Sequence, residues 1–434
     1  MDEQPGNVVI VGGGAGGLEL AARLGGRLGP ERVTLVDQAV FHIWKPSLHE
    51  VAAGTLDIHR EGLSYFMLAK DRGFTFIRGE MLSLDAAGKS IGIGPVVDPQ
   101  GEQVLPPRNV PYDTLILSVG SRSNFFGTPG AAEHTLAIDS TGQAEFFRMR
   151  LLSALTRTDS ARAAGDGEPL RIAIVGAGAT GVELAAELAQ AVRNLAYYGL
   201  RHLDPSRDVK ISLIEGAPRI LSALHEKISD AAHRLLLDRG IAVETSVRVA
   251  SVDDGALYDS EGRRYPFGLC VWAAGIQAPA FLSGLGLETN RINQVVVDAA
   301  LRSNDPSIFA FGDCAQAPWA DGRFLPARAQ VAHQQADFLF SLLTDGSRQA
   351  AKSPPAFHYR DYGSLVSVGH SRVVGRLMGV LTGKGLFVEG LLARLMYMGL
   401  HLMHHAALLG LLRTGSLALG RLLLKRGAPR VKLH

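Results

Sequence analysis

Two stretches of the chain share one pattern of apolar and polar positions. Val8-Val9-Ile10-Val11 is a short β-rich run that halts at Gly12-Gly13-Gly14-Ala15-Gly16-Gly17, after which Leu18-Glu19-Leu20-Ala21-Ala22 has helical character. The next apolar run, Val33-Thr34-Leu35-Val36, ends in Asp37. Downstream, Ile172-Ala173-Ile174-Val175 leads into Gly176-Ala177-Gly178-Ala179-Thr180-Gly181 and a helix from Val182 to Leu188, and the strand from Val209 to Ile214 closes on Glu215. Two further strands end in glycine, Leu115 to Gly120 and Leu269 through Ala274 to Gly275. The periodicity predicts an α/β protein with two Rossmann-like modules.

The glycine spacing has a chemical reason. Gly12 permits a tight turn, Gly14 and Ala15 let backbone N–H groups approach a pyrophosphate, and Gly17 lets the helix pack closely on its strand. Asp37, twenty residues after Gly17, is placed to accept hydrogen bonds from an adenosine ribose. Gly176, Gly178, Thr180, Gly181 and Glu215 repeat the arrangement. One such fingerprint also arises wherever a strand turns into a helix, but two complete copies, each with its acidic partner, point to two dinucleotides. Glu215 favours NADH over NADPH, because a carboxylate that accepts from a 2′-hydroxyl repels a 2′-phosphate, a preference that Arg219 nearby softens. Gly120, Ala274 and Gly275 stand where a module's chain must pass close to its nucleotide.

With 434 residues, 47% of them apolar, the chain is long enough for about three domains. Its two cysteines, Cys270 and Cys314, form no CxxC pair and no metal-ligand cluster, which argues against a disulfide framework, a metal centre or a cysteine electron relay and fits a reducing compartment. The acidic start Met1-Asp2-Glu3 carries no secretory signal pattern, so the N-terminus is expected in the cytosol. Net charge is +2, yet residues 391–434 hold seven Lys/Arg and no Asp or Glu, while the rest carries 37 basic and 42 acidic side chains. Basicity confined to the tail points to an anionic surface and away from nucleic acid.

Ile308-Phe309-Ala310-Phe311-Gly312-Asp313 resembles a motif of the two-dinucleotide-binding-domain flavoproteins. The resemblance implies that Asp313 binds the ribityl or pyrophosphate region of a flavin, so that the first module resumes after about residue 290. With Phe41-His42-Ile43-Trp44-Lys45-Pro46-Ser47-Leu48-His49-Glu50 and Pro326-Ala327-Arg328-Ala329-Gln330-Val331-Ala332-His333-Gln334-Gln335, the whole chain is similar to the bacterial type II NADH dehydrogenases, single-subunit NADH:quinone oxidoreductases, and is close to the enterobacterial form. That family implies FAD and NADH as cofactors. Hydride passes from nicotinamide C4 to flavin N5, with no protein nucleophile required. Ala329, Gln330, Ala332 and Gln334 match the family's AQxAxQ stretch beside flavin and quinone, where amides can hold a quinone carbonyl and alanines leave room for a flat ring; an ordinary helix start is the alternative. Glu183 matches a family Glu considered for hydrogen bonding or proton supply, though a first-turn acid also suits the helix dipole. Lys45 is either a charge beside the flavin or a solvated loop lysine; His42 and His49 share that ambiguity, and neither is taken as catalytic.

From Leu391 to Leu412 the chain is apolar but interrupted by Arg394, His401, His404 and His405, which share one helical stripe. A span would bury an arginine and three histidines. An amphipathic helix lying in the headgroup region beside anionic lipid is expected instead, with a core helix or a dimer interface as alternatives. The resulting expectation is an FAD domain over 1–125 and 291–350, an inserted NADH domain over 126–290 and a membrane-association domain over 351–434. Its activity would be NADH:quinone transfer without proton pumping, at the cytoplasmic face of the inner membrane in the respiratory chain; a homodimer is an assembly the resemblance allows. Rival readings are a soluble reductase of a ferredoxin-type carrier and a flavin- and NADH-binding signalling protein.

Overall fold

The computed structural model describes residues 6–345, 355–368, 373–378, 385–389, 391–424 and 431–432. Lys425, Arg426, Arg430, Leu433 and His434 of the basic tail lie outside them, as do the side chains of Arg394 and Arg421.

Two parallel sheets organise the chain. The first has five strands in the order Ile308–Ala310, Thr114–Leu117, Val8–Val11, Val33–Asp37 and Thr75–Arg78. Its central strand is buried at every residue, which is why Val8–Val11 reads as a continuous apolar run instead of alternating. Helix α1 (Ala15–Leu28) follows the glycine loop. Helix α2 (Leu48–Ala53) comes from the first part of the chain, yet it buries Leu48, Val51 and Ala52 in the apolar cluster of the second module, beside Phe147 and Leu151 of helix α3 (Thr141–Ala163).

The second sheet has four parallel strands, Ala242–Glu244, Val209–Ile214, Leu170–Val175 and Leu269–Trp272, with helix α4 (Ala179–Tyr198) after its glycine loop. Where the chain leaves the first module and re-enters it, Arg122–Ser123 pairs antiparallel with Ile276–Gln277. The strand Ile308–Ala310 then completes the first sheet, and helix α5 (Ala329–Thr344) lies against α1 with Leu339, Leu342 and Leu343 buried.

An antiparallel meander of Gly363–Ser367, Val373–Met378 and Gly385–Glu389 leads to helices α6 (Leu391–Leu409) and α7 (Leu411–Leu424). Among the described residues no helix is long and apolar enough to cross a membrane. The sequence leaves open which way the histidine stripe of α6 faces. His404 and His405 are buried against the body, while Met403, Leu411 and Leu412 are 62%, 82% and 90% exposed. His404 turns inward because it finds His42 there, and the exposed apolar side chains are left on the other side, while Leu408 is buried with the core.

Candidate active site

The two glycine loops are locked in the same way. At Gly12 φ is +102°, and a Cβ would come within 2.5 Å of the Ser118 carbonyl oxygen; Gly176 repeats the turn at +99°. Asp37 accepts from the Gly13 N–H at 2.6 Å with one carboxylate oxygen and from the Ala39 N–H at 2.8 Å with the other. Glu215 does the same with the N–H groups of Ala177, at 2.7 Å, and Ala217, at 2.8 Å. Each carboxylate thus fixes the loop of the preceding strand and retains lone pairs able to accept from a ribose hydroxyl. Gly14 is exposed and Ala15 half-buried at the start of α1, and Gly178 to Thr180 are exposed at the start of α4, which leaves both helix N-termini open to a phosphate.

Gly13 is also a junction. Its carbonyl accepts from the Tyr65 hydroxyl at 2.6 Å and from His42 Nδ1 at 3.0 Å. A carbonyl cannot donate, so His42 carries its proton on Nδ1, and burial holds its pKa down to about 4. Its Nε2 therefore accepts from Nε2–H of His404, 2.9 Å away on α6.

Beside this loop the fold brings together Lys45 and Asp313, which are far apart in sequence. Lys45 Nζ donates to the Ser121 carbonyl at 2.6 Å and meets its hydroxyl at 3.1 Å, and that hydroxyl donates to Asp313 at 2.7 Å. The carbonyl of Asp313 accepts from Gln294, and the Gly312 N–H donates to the buried Gln335 at 2.8 Å. Gly120 adopts φ +72° one residue before Ser121. In the second module Gly275, at φ +147°, sits so close to the Phe126 ring that a Cβ would come within 2.5 Å of it; Ala274 packs beside Trp272.

Glu183 lies at the meeting point of three parts of the chain. It is buried in the first turns of α4, it accepts from the Ser367 N–H of the meander at 2.9 Å, and His49 Nδ1 of α2 stands 3.6 Å from it. Burial pushes its pKa up to about 8, assisted by the nearby Glu50 and Glu187 and opposed by the Ser367 N–H. Burial also lowers the pKa of His49, against the pull of Glu187. Desolvation dominates both groups, so at neutral pH a neutral imidazole faces a protonated carboxyl and the contact is not an ion pair. Thr55 donates to Glu187 at 2.5 Å at the edge of the same group.

The two glutamines of the AQxAxQ stretch part company. Ala329 opens α5, and Gln330 accepts from the Tyr359 hydroxyl at 2.7 Å. Gln334 uses both ends of its amide on the backbone of Arg360, at 2.9 and 3.0 Å, and Ala332 packs near Gly312 and Gly16. Gln334 thus pins the segment after α5 to the helix. Gln335 was missed, although Val331, Gln335 and Leu339 repeat at a four-residue interval on the buried stripe of α5. Ser121, Tyr65 and Tyr359 gave no sequence signal; only the fold places them.

Cys270 and Cys314 are both free and buried, and burial raises both thiols, Cys314 to about 11, so neither resembles an electron relay. Two tail cations counted toward a lipid surface are bound to the body instead. Arg413 pairs with Asp71, and Lys432 Nζ lies 3.4 Å from Glu145 and 3.5 Å from Asp57.

Two nucleotide loops on nested parallel sheets define a class. The chain matches the family described as pyridine nucleotide-disulphide oxidoreductase over residues 6–336 and belongs to it. The type II NADH:quinone oxidoreductase of Haemophilus influenzae is 38% identical over 449 aligned positions, covering 99% of this chain and 100% of that one. At that identity and coverage, the chain belongs with it to the type II NADH:quinone oxidoreductases. Among solved structures, NDH2 from Plasmodium falciparum in complex with NADH superposes with a TM-score of 0.80 at 19% identity, covering 98% of this chain and 99% of that one. The ferredoxin reductase for the CYP199A2 system of Rhodopseudomonas palustris reaches 0.65 at 21% identity, over 86% of this chain and 82% of that one.

Proposed function

We infer that this chain oxidises NADH and passes two electrons to a membrane quinone through FAD, the cofactor of its family. The residues fit that group: an open helix N-terminus for a pyrophosphate, Asp37 for a ribose, and the Lys45–Ser121–Asp313 chain beside them. When bound, FAD supplies a carrier that takes two electrons from a hydride and yields them to a quinone. Everything else falls to the protein. Gly176, Gly178, Thr180, Gly181, Glu215, Ala274 and Gly275 form the NADH cradle. On the first module the cradle comprises Gly12, Gly14, Ala15, Gly17, Gly120 and Ala329. Gln330, its carbonyl held by Tyr359, presents its NH2 as the donor to a quinone carbonyl.

The proton balance gives Glu183 a task. NADH delivers two electrons and one proton, whereas quinol formation needs two protons, so one more must come from solution. A buried carboxyl that stays protonated up to about pH 8 can donate it and be refilled from water.

The observation that carries the quinone half of the reading is the outward apolar face of α6 and α7, with Met403, Leu411 and Leu412 exposed. A reductase of a soluble carrier protein has no use for it. We place this face in the cytoplasmic leaflet of the inner membrane, near anionic lipid, as a peripheral attachment in the respiratory chain with no proton pumping. We divide the chain into an FAD domain of 1–125 and 291–350, an NADH domain of 126–290 and a membrane-association domain of 351–434. The return of Ile308–Ala310 to the first sheet supports the second FAD segment.

The test is NADH oxidation by the flavin-loaded protein with short-chain ubiquinone or menaquinone, compared with native membranes, for wild type and L411D/L412D. Turnover of soluble quinone by both, with loss of membrane-dependent turnover in the variant, is the expected result. No stimulation by any quinone would sink the proposal.

A further inference from the structure

Helix α6 is seated on the body by side chains that the redox chemistry leaves unused. His401 and His405 stand one helical turn apart with ring centroids 4.4 Å from each other, facing Glu61 at the end of the short helix Ile58–Glu61. One ligand-capable atom from each of the three lies within 4.8 Å of the other two. They border a small space of about 10 Å³ with Trp44 and Leu63, close to the least volume that holds one water-sized occupant. The Trp44 ring meets His401 edge-on at 5.1 Å and covers one side.

The proton positions suit a cation. His405 Nδ1 lies 3.0 Å from the His401 carbonyl, which can only accept. The proton is therefore on Nδ1 and the lone pair on Nε2, the outer-shell arrangement that fixes a metal-binding imidazole. Two imidazoles and a carboxylate form the ligand set of zinc and its first-row neighbours, with a fourth position left for water.

We propose that Glu61, His401 and His405 bind one divalent transition-metal ion of the zinc type, which clamps α6 onto the segment Ile58–Glu61. The ion takes no part in electron transfer; it fixes the seat of the C-terminal helices.

The experiment uses full-length, tag-free, flavin-loaded protein, stripped with chelator and dialysed, with zinc chloride as the probe. Equilibrium dialysis and elemental analysis should give one zinc per chain, and zinc should raise the melting temperature of the wild type. Binding should weaken by at least about tenfold in E61Q and H401Q, since loss of even an outer-shell partner costs about 10–100-fold. The H59N variant, which removes a neighbouring exposed histidine, should bind as wild type does. Cobalt in place of zinc should give the visible absorption of a four-coordinate ion in wild type and lose it in E61Q. Zinc no higher than the buffer blank, or zinc held equally by wild type, E61Q and H401Q, would overturn the proposal.

Discussion

Replacing Glu183 by Gln removes one ionisable group and little else. The amide is isosteric, and its oxygen can still accept from the Ser367 N–H that lies 2.9 Å away in the wild type. In the wild type, burial lifts the carboxyl from its ordinary 4.5 to about 8. Between those values the folded chain holds a proton that the unfolded chain releases, so stability falls as pH rises through that window. At about 1.36 kcal/mol per pH unit, the loss is about 3 kcal/mol at pH 7 and about 5 kcal/mol above pH 8, to order of magnitude. E183Q is neutral throughout and suffers no such loss, while the other titrating groups largely cancel in the comparison. Melting curves of the flavin-loaded protein in detergent should nearly coincide at pH 5. By pH 9 the variant should melt higher, by on the order of 5 °C. Quinone-dependent kcat should fall above about pH 8 in the wild type, and be low and flat with pH in the variant. Melting temperatures that run parallel from pH 5 to pH 9 would refute the reasoning, for they would mean that Glu183 is already ionised at neutral pH.

Three other outcomes follow from named contacts. Gln335→Leu leaves the Gly312 N–H without its buried acceptor, at a cost of about 1–3 kcal/mol; measured by flavin fluorescence after dialysis, FAD retention should fall about tenfold or more, and unchanged retention would separate the Gly-Asp turn from flavin binding. Lys45→Met cuts the donor to Ser121 and should weaken FAD binding by a smaller factor while leaving the melting temperature of the stripped protein within about 2 °C. L411D/L412D removes two exposed leucines, each able to bury about 1.5–3 kcal/mol of apolar surface in lipid; vesicle sedimentation should show partition reduced at least about a hundredfold with stability unchanged, and equal partition would place the lipid contact elsewhere.

Much of this architecture is legible in the sequence because it is local. Each glycine loop lies within a few residues of its strand and helix, and Asp37 and Glu215 are identified by closing the next strand. Even the return of the chain to the first sheet is marked by Ile308–Ala310 and the Gly312-Asp313 turn that follows. The site's wiring is less legible because it depends on contacts between distant segments. Nothing around Ser121 announces that it joins Lys45 to Asp313, and nothing around Ser367 announces its bond to Glu183. Helical periodicity could have distinguished Gln335 from Gln334, since only the former falls on the buried stripe. The α6 stripe shows the opposite problem: periodicity put His401, His404 and His405 on one face but could not say which way that face turned, because His42 and Glu61 lie more than three hundred residues earlier.

The hydrogen bond from His404 to His42 and on to the Gly13 carbonyl has a mechanical consequence. Arg413 on Asp71 and Lys432 on Asp57 and Glu145 add two more tethers, so the described residues after 390 are moored to the body at three places. A hull with its keel bolted on rides at one angle, and a protein built this way should meet a bilayer in one pose, with the first glycine loop at a fixed depth. With α6 and α7 attached to lipid as proposed, loosening one tether should change the tilt of the body and with it the depth at which the flavin site rides.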